Sequence, residues 1–457
     1  MNKNYVDVNI NPCKMCMPMG GALAIKGLEN SITLMHSSQG CSTYIRRHIA
    51  QHFNEPMDIA SSSLTEEATV YGGGNKLKKA ITNVIKVYNP KTIGITTSCL
   101  AETIGEDIER IVSEYIVENN LKDKINIFYS GTPGYGGTEN EGYYYTVRKI
   151  VENYVKPSKK HNKINIITGY FLSPAEIREI KNMLKIFGVE AIILPDYSET
   201  LDAPYYGKKY KRIPSGGTKI IDIEKMSGSL ATIELGVLLD DKKSPGKYIE
   251  DIFGVKLYRL PLPIGLKNSD KFIKLLSKIF NKQIPKEIVN ERRRYIDGMI
   301  DSHKYNGEGR ATIYGSPEMV YSLAKLCDEN GIKPVIIATG SENKLLQEKL
   351  EKELKYKNIK FLIDTDFETI GKISKEKNVN IALGNSDGKY LTENYKIPLI
   401  RTGFHVHDRV GGQRENRLFY KESMNFLDKI TNCLLENKYS VYREKMYKNY
   451  FLEEELL

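Results

Sequence analysis

Apolar positions along this chain switch between a strand-like and a helix-like period, and the switching restarts twice. Residues 20–29 read as a short helix, 31–35 as a strand and 43–53 as a helix, with Ser37-Ser-Gln-Gly40 as the break. Gly72-Gly-Gly74 then opens a helix over 75–88 whose apolar face is Leu77, Ile81, Val84, Ile85 and Tyr88, and Asn89-Pro90 stops it. A strand over 92–97, a helix over 101–118 with acids in its first turns, and a strand over 124–129 follow. This alternation predicts a parallel sheet with helices on its faces.

The lysine-rich stretch 155–162 reads as a linker, after which strands are expected at 164–168, 191–194, 230–235 and 256–260, with a helix over 174–187 that carries Pro in its first turn. Residues 197–218 form an irregular stretch of a length usually kept for function or an interface. A charged helix over 285–304 bridges to a third alternation, with strands at 311–314, 333–338, 360–364, 381–383 and 398–401 and a terminal amphipathic helix at 423–436. The predicted class is α/β: three Rossmann-like domains with mainly parallel sheets flanked by helices, over residues 1–160, 161–306 and 307–457.

At 457 residues the chain is too long for one core, and 40% hydrophobic with 27% charged residues is ordinary for a globular protein. No apolar run reaches the roughly 18 residues that span a bilayer, and residues 1–8 are polar, so no membrane partner and a cytoplasmic location are expected. The net charge of +10 comes from lysines scattered among acids, and the runs Lys208-Lys209 and Arg292-Arg293-Arg294 are short. That is the pattern of solvated helix faces, not of a nucleic-acid stripe.

Six cysteines in a chain of this size do not suggest a disulfide frame. Cys327 and Cys433 fall in amphipathic helices and read as small buried hydrophobes. Cys16, Cys41 and Cys99 each sit in a loop-like setting and are expected to meet in space. Their spacings fit no paired zinc hairpin. They suit an Fe–S cluster held between loops at the carboxyl ends of strands. Three thiolates leave a four-iron cluster one ligand short, to be supplied by Cys13 or by a second polypeptide.

The motifs Asn11-Pro-Cys-Lys-Met-Cys-Met-Pro-Met-Gly20, His36-Ser-Ser-Gln-Gly-Cys41, Ser61-Ser-Ser-Leu-Thr-Glu66, Val70-Tyr-Gly-Gly73, Thr96-Thr-Ser-Cys-Leu-Ala-Glu-Thr-Ile-Gly-Glu-Asp107, Thr132-Pro133, Gly403-Phe404 and Asp408-Arg409 run end to end along the chain. Together they resemble a β-type subunit of the nitrogenase component 1 superfamily. The resemblance implies that Cys16, Cys41 and Cys99 bind an iron–sulfur cluster, P-cluster-like with eight irons or of the 4Fe–4S type, shared with the partner subunit. It implies three Rossmann-like domains, an α-type partner in an α₂β₂ assembly, and an ATP-dependent Fe-protein reductase that delivers electrons. Two departures stand out. Gly134 occupies the place after Thr-Pro where P-cluster proteins usually carry a serine that binds iron in the oxidised cluster. The segment His405-Val-His-Asp-Arg-Val-Gly-Gly-Gln-Arg414 is more like β-type scaffold subunits, although well-known scaffold chains lose the first and third cysteines. The resemblance thus leads first to iron–molybdenum cofactor assembly for nitrogen fixation. A catalytic β chain, or a nitrogenase-like reductase of another substrate, is the alternative within the family; a metal-free structural subunit is the alternative outside it.

Among the histidines, His36 reads either as a donor to the cluster or as a packed strand-end residue. His48 and His52, four apart, read as a solvated helix face or a partner contact. His405 and His407 alternate, which places one towards a core and one towards a partner, with metal ligation as the lesser alternative. Glu102 and Asp107 are expected to stabilise a helix N-terminus. Gly72-Gly-Gly74 lacks the Gly-Lys-Ser/Thr of a P-loop, so no nucleotide is expected on this chain.

Overall fold

The computed structural model describes residues 13–122, 124–205, 207 and 211–450. The polar residues 1–8, the Asn11-Pro12 start of the first motif and the pair Lys208-Lys209 lie outside the described residues. Strands β1 (Ser31–His36), β2 (Ile59–Ser61), β3 (Thr92–Thr97) and β4 (Asn126–Ser130) form a parallel sheet in the order β2-β1-β3-β4. Strands β5 (Lys163–Ile167), β6 (Glu190–Leu194), β7 (Thr232–Leu235) and β8 (Leu257–Leu260) form a second in the order β6-β5-β7-β8. Strands β9 (Arg310–Tyr314), β10 (Lys333–Thr339), β11 (Lys360–Ile363), β12 (Ile381–Gly384) and β13 (Leu399–Arg401) form a third in the order β11-β10-β9-β12-β13. All three are parallel and flanked by helices. The central strands β1 and β3 are buried at every position, as two covered faces require.

One apolar cluster runs through all three units, from Leu23 and Ile25 through Ile166 and Leu235 to Leu323 and Ile430. The outer face of the first sheet has its own core around Ile32, Leu77, Ile81 and Ile111. Among the described residues, no helix is long and apolar enough to cross a membrane.

The expected elements differ from the observed ones mainly at their starts. The helix expected over 43–53 spans Gln39–Phe53, and that expected over 20–29 spans Met17–Lys26. Polar or glycine-rich first turns carry no apolar period, so the pattern begins late. The helix expected over 101–118 is two: Cys99–Ile104 ends on Gly105, at φ +77°, and Asp107 caps a new helix, Ile108–Glu118, by accepting the Arg110 N–H at 3.0 Å. The terminal helix is longer than its amphipathic stretch, running Phe419–Tyr450.

The Met17–Lys26 helix lies directly on the Glu139–Tyr154 helix. A Cβ at Gly20 would stand 1.8 Å from the Glu139 carbonyl oxygen, and one at Gly142 would stand 1.9 Å from that of Met17. Only glycine permits this backbone approach. It fixes where the residue before the first helix, Cys16, can be.

Candidate functional site

Cys41 and Cys99 come from the carboxyl ends of the neighbouring strands β1 and β3. Strand order reverses between these two, since β2 lies outside β1 and β4 outside β3. That is the crevice where open α/β sheets bind ligands. The settings are not loops, as first read. Cys16 is the N-cap of Met17–Lys26, Cys41 lies in the first turn of Gln39–Phe53, and Cys99 opens Cys99–Ile104. Helix N-termini present unpaired N–H groups, a setting that suits electron-rich sulfur.

The loop after β4 closes the group. The Gly134 N–H donates to Cys99 Sγ at 3.1 Å, and a Cβ on Gly134 would lie 3.1 Å from that sulfur and 3.3 Å from Cys16 Sγ. Both sulfurs therefore face the space that a side chain at 134 would occupy. Ser38 Oγ lies 3.8 Å from Cys41 Sγ. Cys16 is fixed from behind: the Met15 N–H donates to Glu139 Oε2 at 2.7 Å, the Glu139 N–H donates to Met15 O at 3.1 Å, and Cys16 bridges Thr138. Cys16 and Gly134 open onto a cavity of about 770 Å³ that Tyr44, Thr138 and Glu141 also line.

All three thiols are exposed. Burial among its neighbours raises the Cys16 thiol, and the charges of Cys99, Cys41 and Glu139 raise it further. The three sulfurs do not all lie within 4.8 Å of one another, whereas thiolates sharing one zinc ion would be about 3.8 Å apart. Spacing, exposure and the missing side chain at Gly134 fit a multi-iron body better than a single ion.

Cys13 is not the fourth ligand. It is 6% exposed, packed in the core of the third sheet with Tyr314 and Val335, and burial pushes its thiol up. Cys327 is fully buried and Cys433 half-buried, as their helical patterns suggest. His36 does not reach the sulfurs with a ring nitrogen. Its Nδ1 pairs with Ser62 Oγ at 2.8 Å and its Nε2 with Glu106 Oε2 at 2.7 Å. Glu106, which also accepts the Gly73 N–H, was missed in the sequence, although Gly105-Glu-Asp is the break that directs it there. Glu102 lies in the first turn of Cys99–Ile104, as expected, and also accepts from Thr97 Oγ1 and the Tyr129 hydroxyl, so it braces β3 against β4.

His52 is no solvated helix face. It is fully buried among Phe53, Phe171 and Phe404, and its Nδ1 accepts the Val406 N–H at 2.9 Å. Burial, with the His405 and Arg417 charges, lowers it to about 3. His48 is half-buried, its Nδ1 3.3 Å from His405 Nε2. His405 is buried and His407 partly exposed.

Three parallel sheets, with exposed thiols at the switch point of the first, define a three-unit α/β protein. The chain belongs to the nitrogenase component 1 type oxidoreductases, whose family model matches residues 16–435. It is 34% identical over 450 residues to the nitrogenase molybdenum-iron protein beta chain of Methanococcus maripaludis, covering 96% of each chain. It is 34% identical to the chain of the same name from Clostridium pasteurianum, covering 94% of each. The nitrogenase vanadium-iron protein beta chain of Trichormus variabilis is 32% identical over 93% of this chain and 94% of its own. A solved structure of nitrogenase Cp1 at pH 6.5 superposes with a TM-score of 0.90 at 32% identity, over 99% of this chain and 97% of that one. Within the family, this chain is a β-type subunit.

Proposed function

We propose that this chain is the β-type half of an electron-relaying component 1 complex, in which Cys16, Cys41 and Cys99 hold an iron–sulfur cluster shared with an α-type subunit. The observation that carries the reading is the pair of sulfurs, Cys16 and Cys99, that face the space where a side chain at Gly134 would be, with a backbone N–H on Cys99 and the exposed Cys41 near enough for its charge to act on Cys16. A set of three that opens outward suits a cluster completed by a second chain, and the α₂β₂ assembly with an ATP-driven reductase follows from the same reading. Bound there, the cluster supplies reversible one-electron storage. The chain's own contribution is to hold the sulfurs on rigid helix starts, to donate the Gly134 N–H to Cys99 and to keep Cys16 in place through Glu139.

Within the segment that favours a cofactor-assembly scaffold, His405 to Arg414, Asp408 and Gly412 have packing roles. Asp408 pairs with Arg401 at 2.8 Å, and Gly412 lies against His52 so closely that a Cβ would stand 2.8 Å from its ring. Retention of Cys16 and Cys99 supports the relay reading. The test is iron and acid-labile sulfide per chain in the complex with its α-type partner, together with sustained substrate reduction when the ATP-driven reductase is supplied. Cys41→Ala or Cys99→Ala should lower iron severalfold while Cys433→Ala does not. Undiminished iron in both site variants overturns the cluster assignment. A brown complex with no sustained reduction makes the chain a scaffold subunit.

A further inference from the structure

At the carboxyl ends of β12 and β13, three metal-binding side chains meet. Asp387 stands on the turn Ser386–Gly388 just after β12, and His405 and His407 stand on the segment after β13. Among the described residues they form the one group of three His, Cys, Asp or Glu whose donor atoms all lie within 4.8 Å of one another. We propose that Asp387, His405 and His407 bind one divalent first-row transition-metal ion, at a site separate from the thiols.

One pair of donors is at the separation a single ion needs. His407 Nε2 is 3.4 Å from Asp387 Oδ1, and donors on tetrahedral zinc at about 2.0 Å are about 3.3 Å apart. The His405 and His407 rings stack with centroids 4.7 Å apart and planes at 27°. Ordinary packing would explain the His407–Asp387 contact, but it leaves His405 unexplained. His405 is 2% exposed, and its Nδ1 is buried with no hydrogen-bond partner among the described residues. Its Nε2, in contrast, lies 3.3 Å from His48 Nδ1. One ring nitrogen engaged by a neighbour and the other left over is the arrangement of a metal-bound imidazole.

The backbone holds the three together before any ion arrives. The Ser386 N–H donates to His405 O at 3.1 Å, the His407 N–H donates to Ser386 Oγ at 3.1 Å, and Asn385 Nδ2 donates to Phe404 O at 3.3 Å. Asp408, the other acid nearby, is committed to Arg401. The set is therefore two imidazoles and one carboxylate. It favours zinc or iron(II) over magnesium or calcium, and leaves a fourth position for water. Because His48 comes from the Gln39–Phe53 helix, an ion here would also tie the third sheet to the first unit.

The test uses the purified complex, incubated with Zn²⁺ and freed of excess by gel filtration. Zinc per chain is counted, and the zinc shell is read by X-ray absorption. The expected result is one zinc per chain with nitrogen and oxygen neighbours only, at about 2.0 Å. His407→Gln and Asp387→Asn should each weaken retention by more than about tenfold while iron content is unchanged. Absence of retained zinc, a shell with sulfur at about 2.3 Å, or retention by both variants equal to that of the parent overturns the proposal. If a variant folds poorly, the zinc count and shell of the parent complex decide alone.

Discussion

The Glu318 carboxyl, 2% exposed, accepts the Leu238 N–H at 2.6 Å through Oε1, and its Oε2 is buried without a partner among the described residues. Burial, reinforced by the Glu234 charge, pushes it up to about 7. In the unfolded chain the same group ionises near its ordinary value of about 4.3. The folded state therefore binds this proton more tightly, and the stability it confers is complete below about pH 4, declines as the unfolded form ionises, and is gone above about pH 7. Glu318→Gln keeps an oxygen for Leu238 and abolishes the titration. Relative to the parent, the variant should gain up to about 3 kcal/mol between pH 4 and pH 8, read as the difference in thermal midpoint at those two values. Parallel pH profiles would refute this. At this scale the sequence was legible where chemistry is rare. Three isolated cysteines among glycines could be picked out, because few other settings use them so. Asp387 could not, since one acid among 57 acidic residues carries no mark until β12 and β13 lie side by side. Cys13 misled for the converse reason: Cys-x-x-Cys is a pair on paper, but its first member points into another sheet's core.

Elements are held to one another by fewer contacts than their number suggests. The Pro174–Phe187 helix begins with a capping box, Ser173 with Glu176, and the same Glu176 forms a two-pronged ion pair with Arg417 at 2.8 and 2.9 Å. Both side chains are essentially unexposed. The pair fastens a helix of the second unit to the chain just before the terminal helix. Removing one partner leaves a buried charge, which costs about 3–5 kcal/mol, whereas replacing both is often near neutral. Arg417→Met should accordingly lower the unfolding midpoint strongly, and Glu176→Gln with Arg417→Met should recover part of the loss in a double-variant cycle, the partly buried Glu415 carboxyl 3.7 Å from Arg417 keeping the rest. A single variant as stable as the parent would show that the pair holds nothing. Most strands and the Pro174–Phe187 helix were legible from their period, whereas the helices Glu139–Tyr154, Leu266–Phe280 and Lys344–Glu353 were not read. Helix starts such as Gln39 and Cys99 were not legible either, because a polar first turn has no apolar rhythm. For the cysteines this mattered: it hid that each sits at a helix N-terminus.

At the scale of the whole molecule, three restarts of one pattern translate into three parallel sheets, because each strand–helix unit buries its own apolar face locally. What the pattern could not carry is how the units lean on each other at the cysteine site. The chain ahead of Cys16 crosses the end of β10. A Cβ on Gly340 would lie 2.3 Å from the Lys14 Cβ and 2.5 Å from the Cys13 carbonyl oxygen, and Lys14 forms an ion pair with Asp364 beyond β11. Ser341 adds a hydrogen bond to Thr138 at 2.8 Å, beside Cys16. The third unit thus presses the Cys13–Cys16 stretch into position, although no third-unit residue is itself among the candidate ligands. Gly340→Ala tests that dependence. Both clashing atoms belong to or adjoin the backbone, so the segment must move; the strain should cost about 1–3 kcal/mol and displace Cys16 from Gly134. Iron per chain should fall well below the parent's while the far-ultraviolet spectrum stays the same. Gly307→Ala is the matched control, since a Cβ there would meet nothing nearer than the His303 carbonyl oxygen of the same helix end, at 3.5 Å, and its backbone, at φ −60°, is one alanine adopts freely. If both variants load iron alike, the third unit is only a neighbour of the site, and the position of Cys16 is set within the first unit by the contact of Gly20 and Gly142 alone.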